Sequence, residues 1–588
     1  MQFITDNYLE HAGENSKTDD RFLLGIEGGP KPVAKTHANV LSGIGIHSNQ
    51  GKTRDKKRQR NGICSHSCVV SPLISWESPA LALIAFLMCG IVGIALREGS
   101  AALNLYEALL MLQHRGQDAA GMVTLDQGKF HERKKNGLVS DVFAERHFEK
   151  LKGPIGIGHV RYPTAGTQSA REAQPFFTNA PFGIFMVHNG NLTNTDDLRT
   201  LAQTRQRRHF RTSSDTEVLL ALMADEIQLF YTSNPLAKKQ DAIFSGLRAL
   251  MEKAKGSYSS LALIDKVGLV AFRDPFGVRP LCLGQRKTAE GNVEYSVASE
   301  SIAFEALGYT LLRDVAPGEA ILIDRQGELH TQQLVAGKLK PCIFEYIYLA
   351  RPDSRLSGIS VYEFQRACGR KLARQLNQTS WDIDVVVPVP DGARPAAMEV
   401  ARRMGIDYGE GLIKNRYVGR TFIMPDQQAR ERSVKRKLNA NPAVLKGRKI
   451  LLIDDSIVRG TTMRKIVDLC REAGASKVYV ASASPPVRHP NVYGVDLPSR
   501  DEFVAADLPV DAICEELCAD GLIYQTLSDL RACGTELNPE VDDFEDSVFS
   551  GNYVAGSLSD NYLEALAKGR GAGRGVQRRL PLTTTVEI

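Results

Sequence analysis

The chain has 588 residues, 43% of them hydrophobic and 24% charged, which suits a globular protein of about two to four domains and excludes a fibrous or disordered chain. Its 73 basic and 68 acidic residues leave a formal charge of +5, too small a surplus to argue for nucleic-acid binding. The 10 cysteines have no regular spacing, which excludes a secreted disulfide framework and favours reduced thiols in the cytoplasm.

Residues 1–88 read as a leader, either disordered or a mis-set start. To about residue 80 they are polar and show no helical or alternating period. "GKTRDKKRQR" (51–60) reads as a solvated charge cluster rather than a targeting signal. "CSHSC" (64–68) lacks the second pair that a zinc site needs. The run Pro79–Leu96 passes a membrane-length filter, yet it divides into two short segments. Its second part, "CGIVGIAL" (89–96), with Gly90 and Gly93, suits a buried strand packed closely against another backbone. No second span exists, and the run starts too far from residue 1 for a signal peptide. No membrane partner is expected.

From Met88 to about Ile323, short apolar strands alternate with Gly-rich turns. Two stretches have helical spacing, "NLYEALLMLQHRG" (104–116) and "TEVLLALMADEIQLF" (216–230). A lone Cys89 in an apolar strand is more often a small core residue than a nucleophile. Three stretches change that reading. "GIGHVRYPTAG" (156–166) predicts Arg161 in a Gly-flanked turn after a strand. "FMVHNGNLTN" (185–194) predicts a turn at Asn189–Gly190. "RTSSDTEVL" (211–219) puts Asp215 at a helix start. Together they supply what hydrolysis of an amino-acid amide needs. Cys89 is the nucleophile, Arg161 pairs with an α-carboxylate, and Asp215 pairs with an α-ammonium. Asn189 and Gly190 offer N–H groups to an oxyanion.

From about Cys342 the pattern is strand–helix–strand. Strands are expected at 382–390, 447–455 and 477–485, with helices at 393–405 and 461–475, an alternation that implies a parallel sheet with right-handed crossovers. "ILLIDDSIVRGTT" (450–462) ends a strand in Asp454 and Asp455 and then opens a helix. Ser456, Thr461, Thr462 and the Gly460 N–H can wrap a phosphate at that helix start. The two carboxylates can accept ribose hydroxyls and a hard divalent cation. The loop therefore points to a phosphorylated sugar with Mg²⁺ nearby. It is not a P-loop, since "GxxxxGK[ST]" is absent. The basic, non-periodic stretch 414–439 suits a lid over a polyanion. The tail 568–588, with "GRGAGRGVQRR", is low-complexity and expected to be disordered.

"ILLIDDSIVRGTT" resembles the phosphoribosylpyrophosphate (PRPP) loop of type I phosphoribosyltransferases. The resemblance implies that Asp454 and Asp455 hold the ribose hydroxyls and the metal. It also implies that Ser456, Arg459, Gly460, Thr461 and Thr462 belong to the PRPP site. "VVPVPDGARPAA" (386–397) is similar to the family's pyrophosphate loop. Gly392 stands there in place of a hydroxyl residue found in some relatives, so no metal ligand is assigned to it. Residues 414–439 resemble the family's flexible loop and contribute Arg420, Lys435, Arg436 and Lys437, with Gly419 as a hinge. "CGIVGI", "LQHRGQDAAGM", "GHVRYPTAG" and "HNGNL" are similar to the N-terminal-nucleophile glutaminase domain of class II amidotransferases. In that family the nucleophile begins the mature chain and its α-amine, titrating at about pH 8, is the general base. Met88 would then be the initiator or the residue before a processing cut, and residues 1–87 are the departure from the family.

In this order the two parts resemble the amidophosphoribosyltransferases over roughly residues 89–554. The resemblance implies an α+β glutaminase domain of αββα layers at 89–325. An α/β type I phosphoribosyltransferase domain with a parallel sheet would follow at 340–555. The implied reaction takes glutamine, PRPP and water to 5-phosphoribosylamine, glutamate and pyrophosphate, the first committed step of de novo purine synthesis. Further implications are Mg²⁺, a homotetramer, feedback inhibition by purine nucleotides and a cytoplasmic location. Some members hold an iron–sulfur cluster on four cysteines. Here Cys342 matches one ligand but Asn491 stands at another, so no cluster is expected. Two other readings are weaker. Another class II amidotransferase would lack the "DDSIVRGTT" loop, and a PRPP sensor with a dead glutaminase would not keep Cys89, Arg161, Asn189 and Asp215.

Overall fold

A computed structural model of the protein describes residues 88–162, 170–415, 438–497, 499–555, 558 and 562–563, all within the unit that runs from Trp76 to Ile588. The leader with its basic run, "CSHSC", the apolar residues 79–87, the lid residues Gly419, Arg420 and Lys435 to Lys437, and the tail 568–588 lie outside the described residues. Among the described residues, no helix is long and apolar enough to cross a membrane.

The first half builds two antiparallel sheets. Its strands are β1 (Gly90–Ala95), β2 (Ala119–Asp126), β3 (Lys129–Asn136), β4 (Ile155–Arg161), β5 (Phe176–Thr178), β6 (Ile184–Leu192), β7 (Gly256–Ile264), β8 (Gly268–Arg273), β9 (Cys282–Lys287), β10 (Val293–Ala298), β11 (Thr310–Asp314), β12 (Glu319–Asp324) and β13 (Leu329–Gln333). One sheet runs β11-β9-β10-β1-β4-β2-β3 and the other β13-β12-β8-β7-β6-β5. Side chains alternate between the faces of a strand, and here both faces find apolar partners. Ile91, Ile157, Val187 and Leu261 meet between the sheets. Val92 and Ile94 face the helix Ala102–Met111. Met186 and Ala262 face the helices Thr195–Gln206, Asp215–Ser233 and Lys239–Lys253. The result is four layers, αββα.

β1 lies inside its sheet between β10 and β4, and all of its residues are buried. This explains an apolar run without alternation. Gly93 does need a close approach, but to a side chain rather than a backbone: an added Cβ would lie 2.9 Å from Leu269 Cδ1. The helix expected to reach residue 116 stops at Met111. Beyond it, the Arg115 N–H turns back to the Leu112 carbonyl, and the Arg115 side chain leaves the helix face for a buried ion cluster. The sheet also takes in Leu329–Gln333, past the boundary expected at 325.

The second half carries a small hairpin, β14 (Arg355–Leu356) with β15 (Ile359–Ser360). Its main strands are β16 (Val385–Pro388), β17 (Asp407–Tyr408), β18 (Leu412–Lys414), β19 (Leu438–Ala440), β20 (Lys449–Asp454), β21 (Lys477–Ser482) and β22 (Gly521–Tyr524). The order β17-β16-β20-β21-β22 is parallel throughout. Helices Arg394–Met404 and Thr461–Glu472 supply crossovers, and the first ends at Gly405 with φ of 67°. Apolar clusters cover both sheet faces, Leu451 and Ile453 on one and Ile450 and Leu452 on the other. This accounts for the continuous hydrophobic strands.

Four charged side chains lock the two halves together. Arg115 pairs through Nε with Glu300 and through Nη2 with Glu345 Oε2 at 2.7 Å. Arg279 Nη1 reaches Glu345 Oε1 at 3.2 Å. Ser354 Oγ and the Arg351 N–H donate to Glu300 Oε2 at 2.6 and 3.1 Å. All four charged groups are buried. Burial alone would raise the Glu300 pKa, but Arg115 and His114 hold it far below the usual carboxylate range. Removing one member of a buried pair strands its partner. Glu345→Ala is expected to destabilise the folded chain by about 3–5 kcal/mol, read as a lower denaturant midpoint. An unchanged midpoint would mean that the cluster does not carry the join.

Candidate functional site

Cys89 immediately precedes β1 and is buried. The register pairs Gly90 with Val160 and Ile91 with His159, which brings Cys89 to the end of β4 where Arg161 stands. Arg161 is the last residue of that strand rather than part of a following turn. It is buried, and its Nη2 lies 3.9 Å from Glu172 Oε2. Arg161 and Asp215 both act electrostatically on the Cys89 thiol. In sequence Cys89 and Asp215 stand more than a hundred positions apart, with Arg161 between them.

Asn189 and Gly190 lie inside β6 rather than in a turn, because β6 continues to Leu192 along β7. Gly190 has φ of 148°, and a Cβ there would fall 2.1 Å from the Ser257 carbonyl oxygen. The strand can take that conformation only with glycine. Asn189 is wholly buried, and neither of its amide atoms has a hydrogen-bond partner among the described residues. Phe185 and Val187 face the space between the sheets, so by alternation Asn189 faces it too.

Asp215 opens the helix Asp215–Ser233, with Ser214 as cap. Its Oδ2 accepts from the Leu192 N–H at 3.1 Å, and Oδ1 lies 3.7 Å from His188 Nδ1. Burial works against ionisation, but His188 and the Leu192 and Thr216 N–H groups hold its pKa below the usual range. A stable anion at this point suits an ammonium ligand. Supporting groups were not read from the sequence. Gln174 Oε1 accepts from the His188 N–H at 2.7 Å, and Gln174 Nε2 donates to Thr216 Oγ1 at 3.1 Å. His188 Nδ1 lies 3.2 Å from the same hydroxyl. The only sequence signal for this network was the position of His188 beside Asn189.

Burial pushes the Cys89 thiol up to about 11, against the pull of Arg161. Its Sγ–H points to the Tyr162 carbonyl at 3.7 Å. With Met88 attached, the Cys89 nitrogen is an amide and cannot take the proton. Met88 is itself buried, with Sδ 2.6 Å from Arg279 Nη1.

The second cluster lies at the carboxyl edge of the parallel sheet, where ligands of such sheets bind. Asp454 ends β20 and Asp455 begins the loop. The Asp455 N–H donates to Asp454 Oδ1 at 3.0 Å, and Ser456 Oγ donates to Asp455 Oδ1 at 3.2 Å. Burial and the adjacent Asp455 raise the Asp454 pKa well above the usual range, and burial raises Asp455 to about 7. Two adjacent carboxylates so short of positive charge fit a cation with oxygen ligands. Ile457 and Val458 anchor the loop in the cores on either side of the sheet. Gly460 caps the helix Thr461–Glu472 with φ of 74°. Arg459 is ion-paired with Glu502. Gly392, from the loop after β16, leaves no room for a side chain: a Cβ would lie 2.2 Å from Asp455 Oδ2. A serine or threonine at 392 would displace that carboxylate.

Cys342 is buried and forms an isolated bridge with Glu545. Asn491 uses its Oδ1 to accept from the Tyr493 and Val495 N–H groups at 2.9 and 3.0 Å. Among the described residues, no group of three or more His, Cys, Asp or Glu side chains is placed to hold a metal ion.

Comparison with known proteins finds both parts. A glutamine amidotransferase domain model matches residues 159–306, and a phosphoribosyl transferase domain model matches residues 363–487. An amidophosphoribosyltransferase of Escherichia coli (strain K12) is 51% identical over 486 residues, spanning 82% of this chain and 95% of the relative. The solved glutamine PRPP amidotransferase from B. subtilis, complexed with ADP and GMP, superposes with a TM-score of 0.70 at 36% identity, covering 80% of this chain and 98% of its own. A structure described as the allosteric regulatory enzyme of purine biosynthesis gives a TM-score of 0.71 at 37% identity, covering 80% and 97%.

The Cys89 environment has a consequence for reactivity. In chain that still carries Met88, alkylation of Cys89 is expected to be slow at neutral pH. It should rise about tenfold per pH unit toward the thiol's value of about 11. Peptide mass spectrometry after iodoacetamide treatment reads this, with the exposed Cys518 as internal control. A rate that levels off well below that pH would contradict the assigned environment.

Proposed function

The chain belongs to the amidophosphoribosyltransferase family, and we propose that it joins glutamine hydrolysis at Cys89 to phosphoribosylamine synthesis at Asp454–Thr462. Glutamine and water give glutamate and ammonia. Ammonia and PRPP then give 5-phosphoribosylamine and pyrophosphate, which opens purine synthesis. The observation that carries this reading is the convergence of Cys89, Arg161 and Asp215, remote in sequence, at one end of the space between the sheets.

In this reading Arg161 holds the glutamine α-carboxylate and Asp215 the α-ammonium. A free Cys89 α-amine takes the thiol proton, and the thiolate attacks the side-chain amide carbon. Asn189 Nδ2–H and the Gly190 N–H receive the oxyanion. The amine returns the proton to the departing ammonia, and water then releases glutamate. The active chain therefore begins at Cys89, either by removal of an initiating Met88 or by a cut after it. The domains are taken as 89–325 and 340–555.

At the second site Asp454 and Asp455 hold the ribose hydroxyls, and Ser456, Arg459, Gly460, Thr461 and Thr462 hold the 5-phosphate. Arg420 closes over PRPP from a loop outside the described residues. Asp454 and Asp455 would also hold Mg²⁺, which when bound stabilises charge on the departing pyrophosphate. The same membership supports a cytoplasmic homotetramer under purine-nucleotide inhibition, and Asn491 at the position of a ligand cysteine speaks against an iron–sulfur cluster.

Three measurements test this reading. Cys89→Ala is expected to abolish glutamine-dependent synthesis while leaving ammonium-dependent synthesis largely intact, and loss of both in a folded variant would end the separation of roles. Asp455→Asn is expected to lower PRPP-dependent turnover with either nitrogen source by at least about tenfold, as loss of a charged hydrogen bond of about 1.5–3 kcal/mol implies. Normal PRPP affinity and rate in that variant would remove Asp455 from the site. Intact mass of the active protein should correspond to a start at Cys89, and active enzyme that retains Met88 would refute the free-amine mechanism.

A further inference from the structure

His159 is a buried histidine with no role in the reading above. It lies on β4, on the inter-sheet face together with Ile157 and two residues before Arg161. The register sets it opposite Ile91, one step inside the Cys89 end of β1. It is wholly buried, and neither ring nitrogen has a hydrogen-bond partner among the described residues. Across the gap between the sheets, the ring approaches the backbone of His188, the residue before Asn189, closely enough to feel it as an acceptor but without the geometry of a hydrogen bond. Asn189 is the other wholly buried side chain here, with both polar atoms unmet.

Two such groups that border the same space between the sheets, His159 from β4 and Asn189 from β6, need an explanation, because buried polar groups are almost always hydrogen-bonded, to protein or to ordered water. Burial, then Arg161 and His188, push the His159 pKa down to about 3. The ring is therefore neutral at working pH and offers one N–H donor and one acceptor. A carboxamide is its complement. Asn189 Oδ1 needs a donor if Nδ2–H is to point at an oxyanion, since a flipped amide would present an oxygen to it.

We propose that His159 is a positioning residue for amide hydrolysis: a ring N–H donates to Asn189 Oδ1, directly or through one buried water, and keeps Nδ2–H turned toward the reacting carbon. The proposal rests on Asn189 serving the oxyanion, as set out above. It differs from a space-filling role in what it predicts. Glutamine is bound through Arg161 and Asp215, so KM should move little. The loss should fall on the step in which the oxyanion forms.

The test uses full-length protein processed to Cys89, with three variants. In H159F, which keeps the ring volume and removes both nitrogens, glutaminase kcat should fall about 10²-fold or less, the lower end of what loss of an oxyanion donor costs. KM for glutamine should stay within about threefold. H159N and H159Q place an amide near one or the other ring nitrogen, and one of the two should recover most of the rate. The γ-aldehyde of glutamate adds the Cys89 thiol and forms a tetrahedral oxygen. Its affinity should fall in parallel with kcat, whereas glutamate affinity should not. Ammonium-dependent synthesis reports on folding and on the second site.

Wild-type turnover in H159F would overturn the proposal, as would equal weakening of aldehyde and glutamate. Recovery by neither amide would do the same, and this arm decides the matter if H159F does not fold. Failure of the wild-type enzyme itself to use glutamine would instead strike the function proposed above, so the two failures are distinguishable.

Discussion

The buried cluster of Arg115, Glu300, Arg279 and Glu345 is the constraint around which the rest is arranged. Charges removed from water are tolerated only when each finds a partner in good geometry, and here no single segment can supply the set. Arg115 comes from the turn after the first helix, Arg279 from the loop before β9, Glu300 from the bend after β10, and Glu345 from the start of the second half. The cluster can form only when both halves are folded and joined. It also fixes the approach to the nucleophile. Met88 rests on Arg279 and packs among Val278, Ile343 and Phe344, so the residue before Cys89 points into the seam rather than toward solvent.

Burial also accounts for the chemistry on each side. The environment that hides Cys89 raises its thiol pKa, which makes the amide-bonded form a poor nucleophile. In the proposed mechanism a free α-amine on the same residue would supply the base without any further side chain, so that step would need no histidine. At the other site burial raises the pKa values of Asp454 and Asp455, a penalty that the proposed ribose hydroxyls and cation would relieve. In both places the free protein holds its reactive groups in an unfavourable ionisation environment. In the proposed function, ligand or processing would supply the missing charge or proton acceptor.

Local pattern was enough for much of this. The unbroken apolar run of β1, the strand–helix alternation after residue 382 and the carboxylate pair before Ser456 were legible because each depends on neighbours in sequence. What was not legible depends on distant partners. The helix after Ala102 ends at Met111 because Arg115 is drawn to Glu300 and Glu345. Asn189–Gly190 resembles a turn in sequence but is held in a strand by β7. His159 and His188 lie within quoted motifs and Gln174 within none, yet in sequence nothing assigned any of the three a part in the site; that depends on what lies next to them in the fold. Gly392 marked a missing hydroxyl in the sequence, whereas its close approach to Asp455 appears only in three dimensions.

The two sites are also joined by backbone. Ser482, at the end of β21, is the register partner of Asp454. The chain that leaves it reaches β6 within a single loop. There the Asn191 amide donates to the Val492 carbonyl at 2.9 Å, and Ser257 Oγ and Arg279 Nε both donate to the Tyr493 carbonyl at 2.9 Å. Tyr162 OH donates to Asp496 Oδ2 at 3.1 Å. Gly494 packs on Gly190 so closely that a Cβ would lie 3.0 Å from the Gly190 carbonyl carbon. Asn491 ties the loop to itself through the Tyr493 and Val495 N–H groups, which stiffens it. The carboxyl edge that presents Asp454 and the strand that presents Asn189 are therefore connected through one loop that is bonded both to itself and to β6 and β7.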